Sequence, residues 1–168
     1  KILEQKPQLE VGLSYKISPE SFEKMNCIDY SIRCDEGQDL NKLKEADIIL
    51  LGVSRTSKTP LGLYLSNYNY KVANLSLSPE VDLPQEIYEM SSEKIIGLTI
   101  DAERLHKIRK NRLQVMDLKP VSNYTNLDRI KEELNYAEEI MEELDCKIID
   151  ITDTAIEEVA AQILNEKE

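Results

Sequence analysis

The sequence predicts an α/β fold in which a parallel sheet is covered by helices on both faces. From residue 47 onward, short apolar runs rich in Ile, Val and Leu alternate with segments of helical periodicity. Continuous apolar runs are typical of strands buried on both faces, and their alternation with helices indicates parallel pairing. The predicted strands are 47–52, 71–77, 94–100 and 147–152.

The segments between these strands carry apolar residues three or four positions apart, which is the spacing of one helix face. The clearest stripe comprises Leu127, Ile130, Leu134, Ala137, Ile140 and Leu144. A second stripe near the end of the chain comprises Ile156, Val159, Ala160 and Ile163. Pro60 fits the first turn of a helix after the first strand, where its missing N–H costs nothing.

The composition argues against several classes of function. A formal net charge of −11 over 168 residues disfavours binding to nucleic acid or to an anionic membrane. No apolar run approaches the length that spans a bilayer. Three scattered cysteines and one histidine do not make a zinc set, and they predict reduced thiols in a cytoplasmic protein.

Residues 50–65, LLGVSRTSKTPLGLYL, join the first predicted strand to the first helix. A phosphate-binding loop reads Gly, four residues, Gly, Lys, then Ser or Thr. Gly52, Lys58 and Thr59 hold their places in this pattern, and Ser57 stands where the second glycine is expected. Unpaired amides in such a loop and at the helix N-terminus form an anion cradle.

Each part of the loop therefore has a predicted task. Lys58 is the candidate for the terminal phosphates of a nucleotide, and the hydroxyl of Thr59 is the candidate magnesium ligand. If the Ser57 position requires a positive φ, the serine is strained by about 1 kcal/mol or more. The alternative interpretation is a polar strand-to-helix loop with an accidental Lys-Thr pair.

Residues 1–45 have a different pattern, with one candidate strand at 27–33 and a turn signal at Asp35–Gly37. We therefore predict the end of an upstream region at 1–40 and a P-loop nucleotide-binding kinase domain at 41–168. The chain begins at Lys1 rather than Met, so we expect a piece of a longer protein. Asp35 is by default a turn residue and is also a catalytic candidate.

The segment 98–113, LTIDAERLHKIRKNRL, supplies the other catalytic candidates. Arg109 and Arg112 share a predicted helix face with Leu105 and Ile108, as arginines that neutralise a transferring phosphoryl group would. The alternative is an amphipathic helix whose arginine stems pack on the surface. Asp101 can cap this helix, and it can also bind magnesium or orient an attacking hydroxyl.

The stretch ADIILLGVSRTSKTPLGLYLSNYNYKVANLSLSPEVDLP closely resembles the pyruvate, phosphate dikinase regulatory protein family and the related regulators of phosphoenolpyruvate synthase. The resemblance continues through KIIGLTIDAERLHKIRKNRL and ends in IDITDTAIEEVAAQIL, covering roughly residues 25–164. The stretch 52–60 is highly specific to this family, including the serine at position 57.

The resemblance implies a bifunctional regulatory enzyme. Such proteins use ADP to phosphorylate a threonine of the dikinase, which inactivates it, and remove that phosphate with inorganic phosphate, releasing pyrophosphate. The family's ADP-binding loop falls here on Gly52, Val53, Ser54, Arg55, Thr56, Ser57, Lys58 and Thr59. The implied cofactors are ADP, Mg²⁺ and inorganic phosphate, and the implied partner is the dikinase or the synthase.

The chain departs from the family at two points. Cys34, Asp35, Glu36 and Gly37 stand where the family usually reads His-Asp-Asp-Gly, and the family's chains extend further at the N-terminus. One expectation is therefore a nucleotide-binding part with reduced or no activity.

Two other functions stay open at this point. One is an ATP-dependent small-metabolite kinase, and the other is a nucleotide-responsive binding module without turnover. The oligomeric state is also open, with a homodimer as one option.

Overall fold

The computed structural model describes residues 18–37, 40–117 and 123–167. Four strands form one sheet with the order β2-β1-β3-β4: β1 (Ile48–Gly52), β2 (Val72–Ser76), β3 (Ile95–Thr99) and β4 (Lys147–Asp150). All three pairings are parallel. The four predicted strands and the parallel sheet are confirmed, and each strand is one or two residues shorter than its predicted run.

In the described part of the chain, six α-helices accompany the sheet: α1 (Pro19–Arg33), α2 (Lys58–Ser66), α3 (Gln85–Tyr88), α4 (Ala102–Val115), α5 (Leu127–Glu143) and α6 (Ile156–Leu164). Helix α2 contacts α1, α6 and strands β1 and β2, whereas α4 and α5 contact each other and α5 lies against β3. The chain is therefore an α/β fold of the P-loop kinase type, with helices on both faces of a parallel sheet.

The predicted strand at 27–33 is wrong, because these residues form the second half of α1. The buried residues Cys27, Tyr30, Ser31 and Cys34 lie three or four positions apart, which matches a helix face and not a strand. Ser18 caps the helix by accepting a hydrogen bond from the amide of Ser21 at 3.1 Å. The predicted turn at Asp35–Gly37 is confirmed, with Glu36 at φ 52°.

The domain boundary near residue 40 stays a prediction, and residues 1–17 lie outside the described part of the chain. Within the described part, Tyr30 and Cys34 belong to the same apolar core as the sheet. The backbone N–H of Asn74 in β2 donates to the carbonyl oxygen of Cys34 at 3.3 Å. This contact holds the end of α1 against the edge of the sheet.

Strand β1 occupies a central position in the sheet, and all five of its residues are buried. Parallel strands bring their carboxyl ends to one edge, so the segments after β1, β3 and β4 meet there. These segments carry the predicted phosphate loop and Asp101. None of the helices that the structure describes has the length and apolar character needed to cross a bilayer.

Candidate functional site

The segment between β1 and α2 forms a tightly curled loop. Gly52, Arg55 and Ser57 have positive φ angles of 155°, 79° and 57°. A Cβ atom at Gly52 would lie 2.6 Å from the carbonyl oxygen of Leu98 and 2.8 Å from Oγ1 of Thr56. Glycine is therefore required at the first position of the loop, because the neighbouring strand and the loop itself fill the space.

Ser57 occupies the left-handed region at φ 57° and ψ 22°, as the backbone expected from the phosphate-loop pattern requires. Its side chain makes no capping hydrogen bond, and the residue is exposed. The conditional prediction of strain at Ser57 thus applies to this structure. Ser57 thus adopts the left-handed backbone conformation that a glycine would have at this position.

Lys58 begins α2 and folds back over the loop. Its Nζ donates to the carbonyl oxygens of Gly52 at 3.0 Å and Val53 at 2.9 Å, and the Lys58 side chain is almost fully buried. Oγ1 of Thr56 also donates to the Val53 carbonyl, at 2.9 Å. These bonds turn carbonyl groups inward and close the loop around the ammonium group.

Burial lowers the pKa of Lys58 to about 8, because the ammonium group has lost its water. The carboxylates of Glu36 and Asp35 partly offset this effect, and the guanidinium groups of Arg109 and Arg55 add to it. An anion bound at the loop would favour the charged form, so the site is poised to take up negative charge.

A cavity of about 440 Å³ opens at the loop. Lys58 and Thr59 line it from α2, and Asp35 and Glu36 line it from the turn after α1. The structure thus brings three predicted site residues, Lys58, Thr59 and Asp35, to one cavity. Ser54, Arg55 and Ser57 of the predicted nucleotide loop also line it.

The carboxylate of Asp35 is held directly beside Thr59. Oγ1 of Thr59 donates to Oδ1 of Asp35 at 2.9 Å, and Nδ2 of Asn74 donates to the same oxygen at 2.5 Å. The backbone N–H of Glu36 donates to Oδ1 of Asn74 at 3.1 Å. The buried amide of Asn74 in β2 therefore fixes the turn over the loop.

Oδ1 of Asp35 and Oγ1 of Thr59 lie 2.9 Å apart, a separation that suits two ligands of one magnesium ion. Adjacent ligands of octahedral Mg²⁺ lie about 2.9 Å apart when each bond is about 2.0–2.1 Å. No cluster of three or more acidic, histidine or cysteine side chains suited to a metal occurs among the described residues. Magnesium bound here would therefore take its other ligands from phosphate and water, as this ion commonly does.

Arg109 lies beneath the loop and not in the 440 Å³ cavity. Its guanidinium, 1% exposed, pairs with Glu133 of α5 at 2.6 Å and donates to the Ser54 carbonyl oxygen at 3.3 Å. It also stacks 4.9 Å from the ring centre of Tyr124. In this arrangement Arg109 supports the loop from behind, and its role in catalysis stays a prediction.

The other two catalytic candidates also lie outside the lining of that cavity. Asp101 caps α4 by accepting from the amide of Arg104 at 2.8 Å, which confirms its structural role. Arg112 is exposed and lines a separate cavity with Arg55 and Tyr124. The sequence predicts that Arg109 and Arg112 share one helix face, but the structure buries Arg109 and leaves Arg112 exposed.

Sequence reasoning missed Asn74, Tyr124 and Glu133. An asparagine in the middle of a buried strand is a polar residue in an apolar run, and this signal could have identified Asn74. The contacts of Tyr124 and Glu133 with Arg55 and Arg109 span 15 or more positions, so no local pattern predicts these contacts.

The sequence profile of the kinase/pyrophosphorylase family matches residues 1–164. A relative from Clostridioides difficile is 46% identical over 160 residues, which cover 95% of this chain and 57% of that protein. A relative from Shouchella clausii is 47% identical over 155 residues, covering 92% and 57%. A third, from Oceanobacillus iheyensis, is 42% identical over all 168 residues and 62% of its own length.

All three relatives are named as pyruvate, phosphate dikinase regulatory proteins. The chain spans less than two thirds of the length of each. The match over almost the whole chain, together with the curled loop, shows that this chain belongs to the kinase/pyrophosphorylase family.

Proposed function

We propose that this chain binds ADP at residues 52–59 and transfers its terminal phosphoryl group to a threonine of pyruvate, phosphate dikinase. In the opposite direction, inorganic phosphate attacks the phosphothreonine, which frees the hydroxyl and releases pyrophosphate. Membership of the kinase/pyrophosphorylase family and the names of the relatives support a regulatory phosphotransferase of this kind. The whole protein's partner, threonine specificity and cytoplasmic location are parts of this proposal.

One observation carries the proposal: Lys58, Thr59 and Asp35 face a single cavity at a curled phosphate loop. The amides of the loop and the N-terminus of α2 would hold the diphosphate, and the ammonium group of Lys58 would neutralise its charge. Thr59 and Asp35 would hold Mg²⁺, which supplies further charge neutralisation at the transferring group.

Asp35 is also placed to accept the proton of an attacking hydroxyl, since its Oδ1 already accepts a hydrogen bond from a hydroxyl. The two tasks are alternatives for one carboxylate, and Mg²⁺ dependence separates them. The serine–arginine side of the loop, with Ser54 and Arg55, would face the acceptor.

Calorimetric titration with ADP and with ATP, each with and without Mg²⁺, tests the nucleotide. We expect a clear preference for ADP, and Lys58→Ala should weaken ADP binding by about 1.5–3 kcal/mol, the value of a charged hydrogen bond. Lys131→Ala, on an exposed part of α5, is the matched control and should bind ADP normally. A preference for ATP would instead support the small-metabolite kinase.

A transfer assay with purified dikinase and radiolabelled ADP then tests turnover. Labelled dikinase, and pyrophosphate release when inorganic phosphate is added, would support the proposed reaction. Binding of ADP without either product would support the nucleotide-responsive binding module. The same assay with phosphoenolpyruvate synthase as acceptor determines which of the two enzymes is the target.

A further inference from the structure

A second cavity, of about 360 Å³, lies on the other side of the phosphate loop. It is lined by Ser54, Arg55, Arg112, Leu113, Met116 and Tyr124. Ser54 and Arg55 line both this cavity and the 440 Å³ cavity, so the two are neighbours across the loop. A ligand here would therefore lie next to a nucleotide held at Lys58.

The charge of this second cavity is opposite to that of the protein. The chain carries 32 acidic and 21 basic residues, yet the described lining holds two guanidinium groups and no carboxylate. Neither Arg55 nor Arg112 forms an ion pair with any residue in the described ranges. Two uncompensated arginines at one cavity favour an anionic ligand.

Arg55 is held in place before any ligand arrives. Its Nε donates to the hydroxyl of Tyr124 at 3.2 Å. Tyr124 is fixed in turn by Arg109, which stacks on the Tyr124 ring and donates to its carbonyl oxygen at 3.3 Å. A pre-positioned guanidinium loses little conformational entropy on binding, which suits a planar fork that recognises phosphate oxygens.

The rim of the cavity is apolar. Leu113 and Met116 line the cavity, and Met116 is 50% exposed at the end of α4. Its chain neighbour Val115 is 82% exposed and extends this apolar surface beyond the lining. A free inorganic ion gains nothing from such a rim, whereas a polypeptide that carries a phosphate can bury apolar surface against it. The cavity thus combines an anion site with a short surface for a peptide chain.

We propose that the Arg55–Arg112 cavity binds the phosphate monoester of the phosphorylated protein substrate. This inference rests on the proposed function, and it names the binding site of the second substrate. It also gives the exposed Arg112 a ligand, while the buried Arg109 holds the site from below. The nucleotide loop and this cavity then present donor and acceptor to each other across Ser54 and Arg55.

The test uses calorimetry with three probes on the intact chain: a phosphothreonine peptide with flanking apolar residues, the unphosphorylated peptide, and inorganic phosphate. We expect the phosphopeptide to bind with at least tenfold higher affinity than the unphosphorylated peptide. Arg112→Ala should weaken phosphopeptide binding about tenfold or more and leave ADP affinity within twofold. Lys110→Ala, an exposed cation of the same helix, should change neither.

The double substitution Val115→Ser with Met116→Ser distinguishes a phosphate carried by a peptide from free inorganic phosphate. It should weaken phosphopeptide binding and leave inorganic phosphate binding unchanged. The proposal would be overturned if Arg112→Ala left phosphopeptide affinity unchanged. It would also be overturned if the chain bound inorganic phosphate but not the phosphopeptide. Because ADP binding is measured separately, its absence in the unaltered chain would contradict the proposed function and not this site.

Discussion

Arg109 and Glu133 form a buried ion pair that connects the loop 52–59 to helix α5. Nη2 of Arg109 lies 2.6 Å from Oε2 of Glu133 and 3.3 Å from the carbonyl oxygen of Ser54. The side chain of Arg109 is 1% exposed and that of Glu133 is 16% exposed. Removing one partner of such a pair leaves an uncompensated charge in the interior.

We therefore expect Glu133→Gln to lower the free energy of unfolding by about 3 kcal/mol, in the range for a broken buried pair. It should also weaken ADP binding, because the guanidinium of Arg109, which donates to the Ser54 carbonyl oxygen, loses its anionic partner. Urea denaturation and ADP titration measure the two effects. Glu132→Gln is the control, since that exposed carboxylate pairs with Arg129 at 2.8 Å and should change stability by less than about 1 kcal/mol.

Equal unfolding free energies for Glu133→Gln and Glu132→Gln would contradict the assignment of Glu133 as the residue that supports the loop. A second variant, Arg109→Lys, keeps the positive charge and loses the fork that contacts Glu133, Ser54 and Tyr124 together. It should also lower ADP affinity, whereas a purely electrostatic role would leave it unchanged.

The sheet could be predicted from the sequence because its strands are buried on both faces. Such strands need continuous apolar runs, and a run like IILL in β1 has few other stable environments. The loop was predictable for a related reason, since Gly52 and Lys58 meet local requirements of backbone space and charge. The left-handed φ of Ser57 follows from the same local pattern.

The sequence misled at α1 because the face that this helix buries carries cysteine, tyrosine and serine, while an isoleucine lies outside that face. Ile32 is 58% exposed, while Ser31 is buried and its Oγ lies 2.7 Å from Oγ of Ser66 in α2. Residue type therefore indicated a strand, and only the tertiary contacts select the helix. The different burial of Arg109 and Arg112 also depends on the contact of Arg109 with α5, which local spacing in the sequence does not reveal.

Ser57→Gly should stabilise the protein. A non-glycine residue in the left-handed region costs about 1 kcal/mol, and the exposed Ser57 side chain makes no cap that would be lost. We expect the free energy of unfolding to rise by up to about 1 kcal/mol, measured by urea denaturation. Ser54→Gly, in the same loop without a positive φ, should lower it through chain entropy. A Ser57→Gly protein that is less stable than the original would show that the serine hydroxyl stabilises the loop.

Asp35→Asn tests the proposed magnesium site, because asparagine has nearly the same shape as aspartate. The neutral amide can still accept a hydrogen bond from Thr59, but it is a weaker ligand for a hard divalent cation. We expect the Mg²⁺ concentration at half-maximal ADP binding to rise about tenfold or more. Asp29→Asn is the control, because that carboxylate pairs with Arg33 on the exposed side of α1. An unchanged Mg²⁺ requirement would leave Asp35 with the role of proton acceptor only.

If Lys58 binds the diphosphate as proposed, we expect ADP binding to depend on pH. Its pKa of about 8 lies below the ordinary 10.5, so the lysine is partly neutral at pH 8 and mostly neutral at pH 9.5. A bound diphosphate favours the ammonium form and raises this pKa, so binding above pH 8 requires proton uptake. We expect ADP affinity to be nearly constant from about pH 7 to 7.5, where the diphosphate is already ionised, and to fall as pH rises above 8.

The stability of the ADP-free protein should show the opposite trend. Between pH 8 and 10.5 the unfolded chain binds more protons at Lys58 than the folded chain does, so this group makes unfolding less favourable as pH rises.

Calorimetry of ADP binding in two buffers with different ionisation enthalpies measures the proton uptake that accompanies binding. Lys58→Arg stays charged throughout this range and should bind ADP without proton uptake at pH 8.5. If proton uptake persists in Lys58→Arg, a group other than Lys58 takes up the proton. That result would contradict the proposal that the Lys58 ammonium group binds the diphosphate.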